Sequence, residues 1–463
     1  MKDKLFDVFR NTIKTHGLLD DGGGVLIALS GGSDSVVMLH LFSRLREESG
    51  IRLEAAHINH MIRKTAGRDE DFCAALCEKY DIPLHIRRID VPALSKERGM
   101  GLEECGREAR YAAFSEIMKA RGLNACATAH NRDDNAETMI LNFIRGASGR
   151  GLRGIPYRRG DIIRPILDIK KSEVTAYAEE CGLSFVTDET NADTAYTRNF
   201  VRHELIPMIE RVNPSFSDTA ARNAALFARD EAFLRAEAER VMKRGEDRGA
   251  YIVFGRDELS RLPEAVLSRV CALSCARVSG SEPDFTAVSR AMAAVYEKEG
   301  NFTETLSHGA RLESAYGKIY FLKEIKPESF TAPLDKTEGE LYFYGAGIKI
   351  SYSVENYAHN LKKFNGFLYM DYDIISSEAF FTERREGDVF YPYGGAGKRS
   401  VKRFMQDEKI PAFLRARLPV LRAGGEVVWV CPVMRPARAA AVTDKTKRVI
   451  LFKVSPAGKN QHG

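Results

Sequence analysis

Between Val25 and about Leu205, apolar runs of strand length alternate with longer stretches whose apolar residues recur at helical spacing. The runs are Val25–Leu29, Leu53–Ile58, Leu84–Ile89, Ala125–Ala129 and Ile162–Ile166; Glu70–Lys79 and Glu104–Arg121 are helical in pattern. Such alternation predicts a parallel, doubly wound, Rossmann-like α/β sheet covered on both faces, with ligands beyond the carboxyl ends of its strands. After Pro207 the texture changes. Residues 216–245 are rich in Ala, Arg and Glu and read as one long helix, and 258–300 add helices with Pro263 and Pro283 near two starts. Residues 326–380 predict some short strands around a turn at Gly345 and Gly347, and Val427–Val430 and Val449–Phe452 are β-rich. The expected division is an α/β domain over 1–215, a mostly helical domain over 216–325, a connecting segment over 326–380, and a small α+β domain over 381–463.

Composition narrows the class. The 463 residues exceed one core, and 44% hydrophobic with 29% charged residues is a globular balance. No apolar stretch approaches the roughly 20 residues of a membrane helix, and the amino terminus lacks the apolar core of a signal peptide. A cytoplasmic protein with no membrane partner is expected. The eight cysteines include no C-x-x-C pair, which disfavours iron–sulfur and zinc-ribbon sites and points to buried free thiols. Net charge is only +5, yet residues 380–455 hold 16 Lys/Arg against 7 Asp/Glu. A basic end on a mildly acidic body suggests a polyanionic partner, set against a merely solvated charged face.

The first strand runs into Ser30-Gly31-Gly32-Ser33-Asp34-Ser35, and an apolar helix follows. A Gly-rich turn at a helix start aims backbone N–H groups and the positive dipole end at one spot, which suits phosphate. Asp34 would repel phosphate unless a cation such as Mg²⁺ lies between them. No Walker sequence is present. The hexapeptide resembles the pyrophosphate loop of the N-type ATP pyrophosphatases (PP-loop), which cleave ATP between its α and β phosphates.

A second constellation follows Ala125–Ala129: His130, then Asp134 and Glu137, which share a helix face if that helix starts near Asp133. Three readings are open: a mixed metal site, a pair of carboxylates that grips an amine and takes its proton, or a helix start whose acids complement the dipole. The stretch Arg145–Gly154 has four glycines and three arginines, suited to phosphate or a nucleic-acid backbone, or to a solvated linker.

Across most of the chain the residues resemble the tRNA(Ile)-lysidine synthetases. The matching segments are Ser30–Ser35; His57-Ile58-Asn59-His60 with Arg63; Glu103 with Arg107, Arg110 and Tyr111; and His130 with Asp134, Glu137 and Thr138. Further on they are Arg145-Gly146; Arg164-Pro165-Ile166-Leu167; Asp188-Glu189-Thr190-Asn191; Tyr196, Arg198, Asn199 and Arg202; and Gly387-Asp388 through Ile410-Pro411. The resemblance implies that ATP adenylates C2 of the wobble cytidine in a tRNA(Ile) with a CAU anticodon, and that L-lysine then displaces AMP, changing the tRNA from methionine to isoleucine identity. On that reading, Ser30, Gly31, Gly32, Ser33, Asp34 and Ser35 hold the phosphates with Mg²⁺ at Asp34, and His57 and Asn59 face the adenosine. Arg107 and Arg110 neutralise developing charge, with His130 in the same crevice. Asp134 and Glu137 bind and deprotonate the lysine amine. Arg198, Asn199 and Arg202 meet the anticodon stem, Arg145 is a further tRNA contact, and Lys398, Arg399, Lys402 and Arg403 form a helical stripe on the RNA backbone. Oligomeric state stays open, a homodimer included. Gly106 departs from the family's Ala, and Cys431-Pro432 stands where a glycine is expected. Rival readings are a tRNA thiolase, a small-molecule synthetase of the NAD or GMP kind, and a non-catalytic tRNA-binding protein.

Overall fold

A computed structural model of the chain describes residues 2–20, 22–62, 66–147, 149–187, 197–324, 329–334, 337–357, 366–375 and 378–458. Two compact units divide at Ala232/Phe233, inside the helix Phe216–Arg244.

The first unit is built on one sheet: β1 (Gly24–Ala28), β2 (Arg52–Asn59), β3 (Leu84–Arg88), β4 (Ala125–Ala127), β5 (Arg158–Arg159) and β6 (Ile162–Ile163), ordered β3-β2-β1-β4-β6-β5. Every pairing is parallel except that of the edge strand β5, so the predicted parallel sheet is present. β6 is shorter than its apolar run because Pro165 has no N–H for the ladder. Alternate residues of β1 serve opposite faces. Val25 and Ile27 pack with Phe9, Val37, Phe42 and Tyr177, whereas Leu26 packs with Phe114, Ile117 and Met118. The helices of the unit are α1 (Lys2–Thr15), α2 (Ser33–Ser49), α3 (Ala66–Lys79), α4 (Val91–Arg98), α5 (Leu102–Arg121), α6 (Arg132–Ile144), α7 (Gly149–Leu152), α8 (Lys171–Glu180), α9 (Thr197–Phe200) and α10 (Ile206–Val212). A π-helical turn, Val201–Leu205, joins α9 to α10. The middle of α2 is apolar, and its Val37, Met38, Leu39, Leu41 and Phe42 are fully buried. That burial anchors the turn in front of it, each such side chain contributing about 2 kcal/mol. The long helix α11 (Phe216–Arg244) seats Ala220 and Ala224 against Ala136 and Met139 of α6.

In the second unit the expected helices appear at Glu264–Ser279, directly after Pro263, and at Phe285–Glu297. They share a core with a five-stranded antiparallel sheet, Glu246–Asp247, Tyr251–Gly255, Lys318–Lys323, Ala310–Ala315 and Phe302–Thr305, which the helical pattern had hidden. The segment 326–380, read as a connection, supplies strands to two four-stranded sheets. One sheet orders Thr331–Pro333, Phe380–Thr382, Val420–Ala423 and Glu426–Val430; the other orders Glu338–Phe343, Ile348–Asn356, Arg448–Pro456 and Leu368–Asp371. Buried Phe381, Trp429 and Phe452 join them, with ring centroids 5.1–6.2 Å apart.

Candidate active site

From β1 the chain builds outward through β2 and β3, then returns to place β4 on the other side of β1. The loops after β1 and β4 therefore diverge, leaving a crevice at their carboxyl ends. The loop after β1 is Leu29–Gly32. Gly31 has φ +87°, a left-handed backbone conformation that L side chains rarely adopt, so this position favours glycine. Ser35 Oγ accepts from the Ser30 amide (3.2 Å) and donates to the Gly32 carbonyl (2.9 Å), fixing the turn. The N-cap of α2 is Gly32, which offers no side chain to the first-turn N–H groups. Those donors remain for an anion.

The loop after β4 starts α6. Asn131 caps it: its side-chain oxygen accepts from the Asp134 amide (3.0 Å), and Asp134 Oδ2 accepts from the Asn131 amide (2.9 Å). The capping reading thus holds for Asp134, but through one oxygen only. Its Oδ1 accepts from Arg202 (3.0 Å) and Arg198 (3.4 Å). Glu137, one turn on, accepts from Arg198 Nε (2.9 Å) and from Arg202 Nε (2.5 Å). The Glu137 side chain is 1% exposed. Burial pushes the Asp134 carboxyl above the usual carboxylate range, against the pull of Arg198. Arg198 and Arg202, expected to meet the anticodon arm, each pair with both of these carboxylates. Their i, i+4 spacing puts both guanidiniums on one side of the α9–α10 helix, and buried acids attract them. Asn199 lies between them, half-buried. Among the described residues no three or more of His, Cys, Asp and Glu come together as a metal site, so the mixed metal reading of His130, Asp134 and Glu137 is not supported.

Beside the carboxylates lies a cavity of about 440 Å³, bordered by His130, Arg107, Arg145, Arg159, Arg164 and Arg198, with Glu103 and Thr138. Burial and the nearby arginines push His130 down to about 3, so its ring is neutral at pH 7. Its Nδ1 lies 3.1 Å from Thr128 Oγ1. Arg164 is 3% exposed and donates to the Pro156 carbonyl (2.6 Å). Arg107 borders the cavity and lies over the Tyr111 ring; Arg110, one turn along α5, is outside the lining set. A cavity with five arginines and one acid suits an anionic or carbonyl-rich guest.

The remaining sequence candidates fall differently. His57 donates from Nδ1 to the Leu29 carbonyl (2.9 Å), and Asn59 donates to Glu70 (2.6 Å) and accepts from the Met61 amide (2.8 Å). Both are buried, and the Asn59 side chain is engaged by α3 and by its own loop. Arg145 is exposed, and the stretch after it is a built turn rather than an open loop: α7 lies within it, and Asn142 donates to the Gly151 carbonyl. Gly154 has φ +67° with Asn135 against it. Lys398, Arg399, Lys402 and Arg403 are all exposed but do not share one helix. Arg399 sits in a strand and pairs with Asp407 (3.0 Å), Ser400 caps, and the helix Val401–Asp407 carries Lys402 and Arg403. Arg63, Ser148, Asp188, Glu189, Thr190, Asn191 and Tyr196 lie outside the described residues.

Comparison with known proteins agrees with this layout. Residues 4–209 match the model of a PP-loop domain, an ATP-binding class, and residues 381–450 match that of a TilS substrate C-terminal domain. The chain is 32% identical to the tRNA(Ile)-lysidine synthase of Clostridium perfringens over 99% of this chain and 100% of that one. It is 29% identical to the Persephonella marina enzyme of the same name, over 96% and 98%. The chain belongs to the tRNA(Ile)-lysidine synthase family. As a member it is a ligase that forms a C–N bond. No described helix is long and apolar enough to cross a membrane.

Sequence reasoning missed two side chains at this lysidine synthase site. Asn131 Nδ2 donates to Asp34 Oδ1 (3.1 Å), and Lys171 Nζ donates to Asp34 Oδ2 (2.5 Å) and Ser33 Oγ (2.8 Å). Asn131 announces itself as an N-cap before Asp133 and Asp134. Lys171 carries a subtler signal, a lysine pair at a helix start where the dipole disfavours cations.

Proposed function

We propose that the chain uses ATP to join L-lysine to C2 of the wobble cytidine of a CAU-anticodon tRNA(Ile), by way of an adenylated cytidine and with release of AMP and pyrophosphate. The product would pair as an isoleucine tRNA rather than a methionine one. The observation that carries this reading is the Asn131–Asp34 hydrogen bond. It ties the phosphate loop to the helix bearing Asp134 and Glu137, beside a cavity large enough for a nucleoside.

The chemistry divides among these groups. A carbonyl oxygen leaves poorly until esterified to a phosphate, so activation has to precede attack by the amine. The first-turn N–H groups of α2 and the Ser30–Ser35 hydroxyls suit the β and γ phosphates. Asp34, a hard carboxylate 26% exposed at the loop, suits Mg²⁺, which would neutralise phosphate charge. Arg107 and Arg164 face the cavity, where charge would build on the α phosphate. Lysine enters as an ammonium and must lose a proton. Asp134 and Glu137 are the acids placed to take it, and Arg198 and Arg202 must yield at least part of that pair to the amine. His130, held neutral, offers a hydrogen bond rather than a charge. Arg145 and the exposed Lys402 and Arg403 are proposed RNA contacts, and the work on tRNA places the enzyme in the cytoplasm.

The test is to incubate the protein with ATP, labelled lysine and a CAU-anticodon tRNA(Ile) transcript. Label is expected on the RNA with stoichiometric AMP, and its absence would refute the assignment.

A further inference from the structure

Two lysines open α8, at the end of the helix where the dipole repels cations. Each is answered by an acid. Lys170 donates to Asp218 (2.7 Å). Lys171 donates from its backbone N–H to Asp133 (2.6 Å), but its ammonium reaches across to the phosphate loop, to Asp34 Oδ2 (2.5 Å) and Ser33 Oγ (2.8 Å). The Lys171 side chain is 47% exposed and borders a second cavity of about 290 Å³. It therefore has room to move. Asp34 is thus held by a tethered cation on one oxygen and by the Asn131 amide on the other.

On the reading of Ser30–Ser35 as a nucleotide loop, we infer that Lys171 is a phosphate-binding residue, whose ammonium passes from Asp34 to the terminal phosphates when nucleotide enters. Two cations cannot crowd one carboxylate without repulsion, so a divalent ion at Asp34 displaces Lys171. The displaced ammonium remains tethered beside the first turn of α2, where an anion binds. A triphosphate tail presents several negative oxygens to it, more than the single carboxylate it leaves. Lys171 makes and breaks no covalent bond. It grips the end of ATP that departs as pyrophosphate and holds it as charge accumulates there. The contact would distinguish ATP from AMP, because only ATP carries the phosphates within its reach.

Calorimetric titration of ATP and of AMP into the full chain with Mg²⁺ tests this, using wild type, Lys171→Met, Lys171→Arg and Lys170→Met. Loss of Lys171 is expected to weaken ATP binding by about tenfold or more, the worth of one charge-assisted hydrogen bond. AMP affinity should stay within about twofold, the arginine variant should recover most of the loss, and Lys170→Met should leave both affinities unchanged. Equal ATP affinity in wild type and Lys171→Met overturns the inference, as does an equal loss for ATP and AMP. Failure of the wild type itself to bind ATP would instead overturn the nucleotide reading of the loop, and this inference with it.

Discussion

Asn131 donates its side-chain amide to Asp34 across 3.1 Å, and the same side chain caps the helix that carries Asp134 and Glu137. One residue thus sets the spacing between the phosphate loop and the acids beyond it.

Asn131→Asp separates these two duties. Aspartate caps a helix as well as asparagine does, but it would bring a second carboxylate against Asp34. The thermal midpoint should hold within about 2 °C. Pyrophosphate release with tRNA in the absence of lysine should fall by about tenfold or more. Asn131→Ala should lose about 1 kcal/mol of stability as well, measured by urea unfolding.

Glu137→Gln should spare adenylation and block lysine transfer, because the amide cannot take a proton from the amine. Arg198 and Arg202 would lose a buried partner while remaining in contact with Asp134, at a cost of about 1–3 kcal/mol. A pulse of ATP and tRNA, chased with labelled lysine, reads the two steps apart. Normal lysine transfer would remove Glu137 from the proposed chemistry.

Acid stability should depend on Glu54, at the opposite end of β2 from the site. Arg121, Arg52 and His85 outweigh its burial and hold its carboxyl down to about 2, against 4.5 unperturbed. A lowered folded value means its contribution is complete above about pH 4.5 and is lost as pH falls toward 2. The full shift corresponds to about 3 kcal/mol, and the half-exposed arginines reduce that to roughly 1–2. Glu54→Gln should therefore destabilise at pH 7, and the gap from wild type should narrow below about pH 4.5 and close only near pH 2 in urea titrations.

Gly106→Ala should stabilise the protein by about 0.5–1 kcal/mol. Gly106 lies inside α5, and a methyl there would meet Val91 and His60 at 3.5–3.7 Å, ordinary contact distances. A lowered denaturation midpoint would show that the space is tighter than these distances imply.

Local pattern revealed what local physics determines. Strand–helix alternation over 25–205 exposed the parallel sheet, and the Ser-Gly-Gly run exposed the phosphate loop, because both are fixed within a few residues. Partnerships across the chain were hidden. Arg198 and Arg202 look like RNA contacts alone until they are seen paired with Asp134 and Glu137, some 60 residues away. Lys171 reads as an exposed lysine until it is seen on Asp34, at a separation of 137 residues. The strands of 246–323 were masked by the Ala- and Arg-rich helices before and between them, and their burial depends on packing against those helices.

The strand Arg448–Pro456 lies between Ile348–Asn356 and Leu368–Asp371. It leaves the ribosome about a hundred residues after the first of them, so this sheet has no middle until Arg448–Pro456 has been made. Until then its neighbours present unpaired backbone to water. A stop codon before Arg448 would leave that edge permanently open and favour clumping over a shortened but working enzyme.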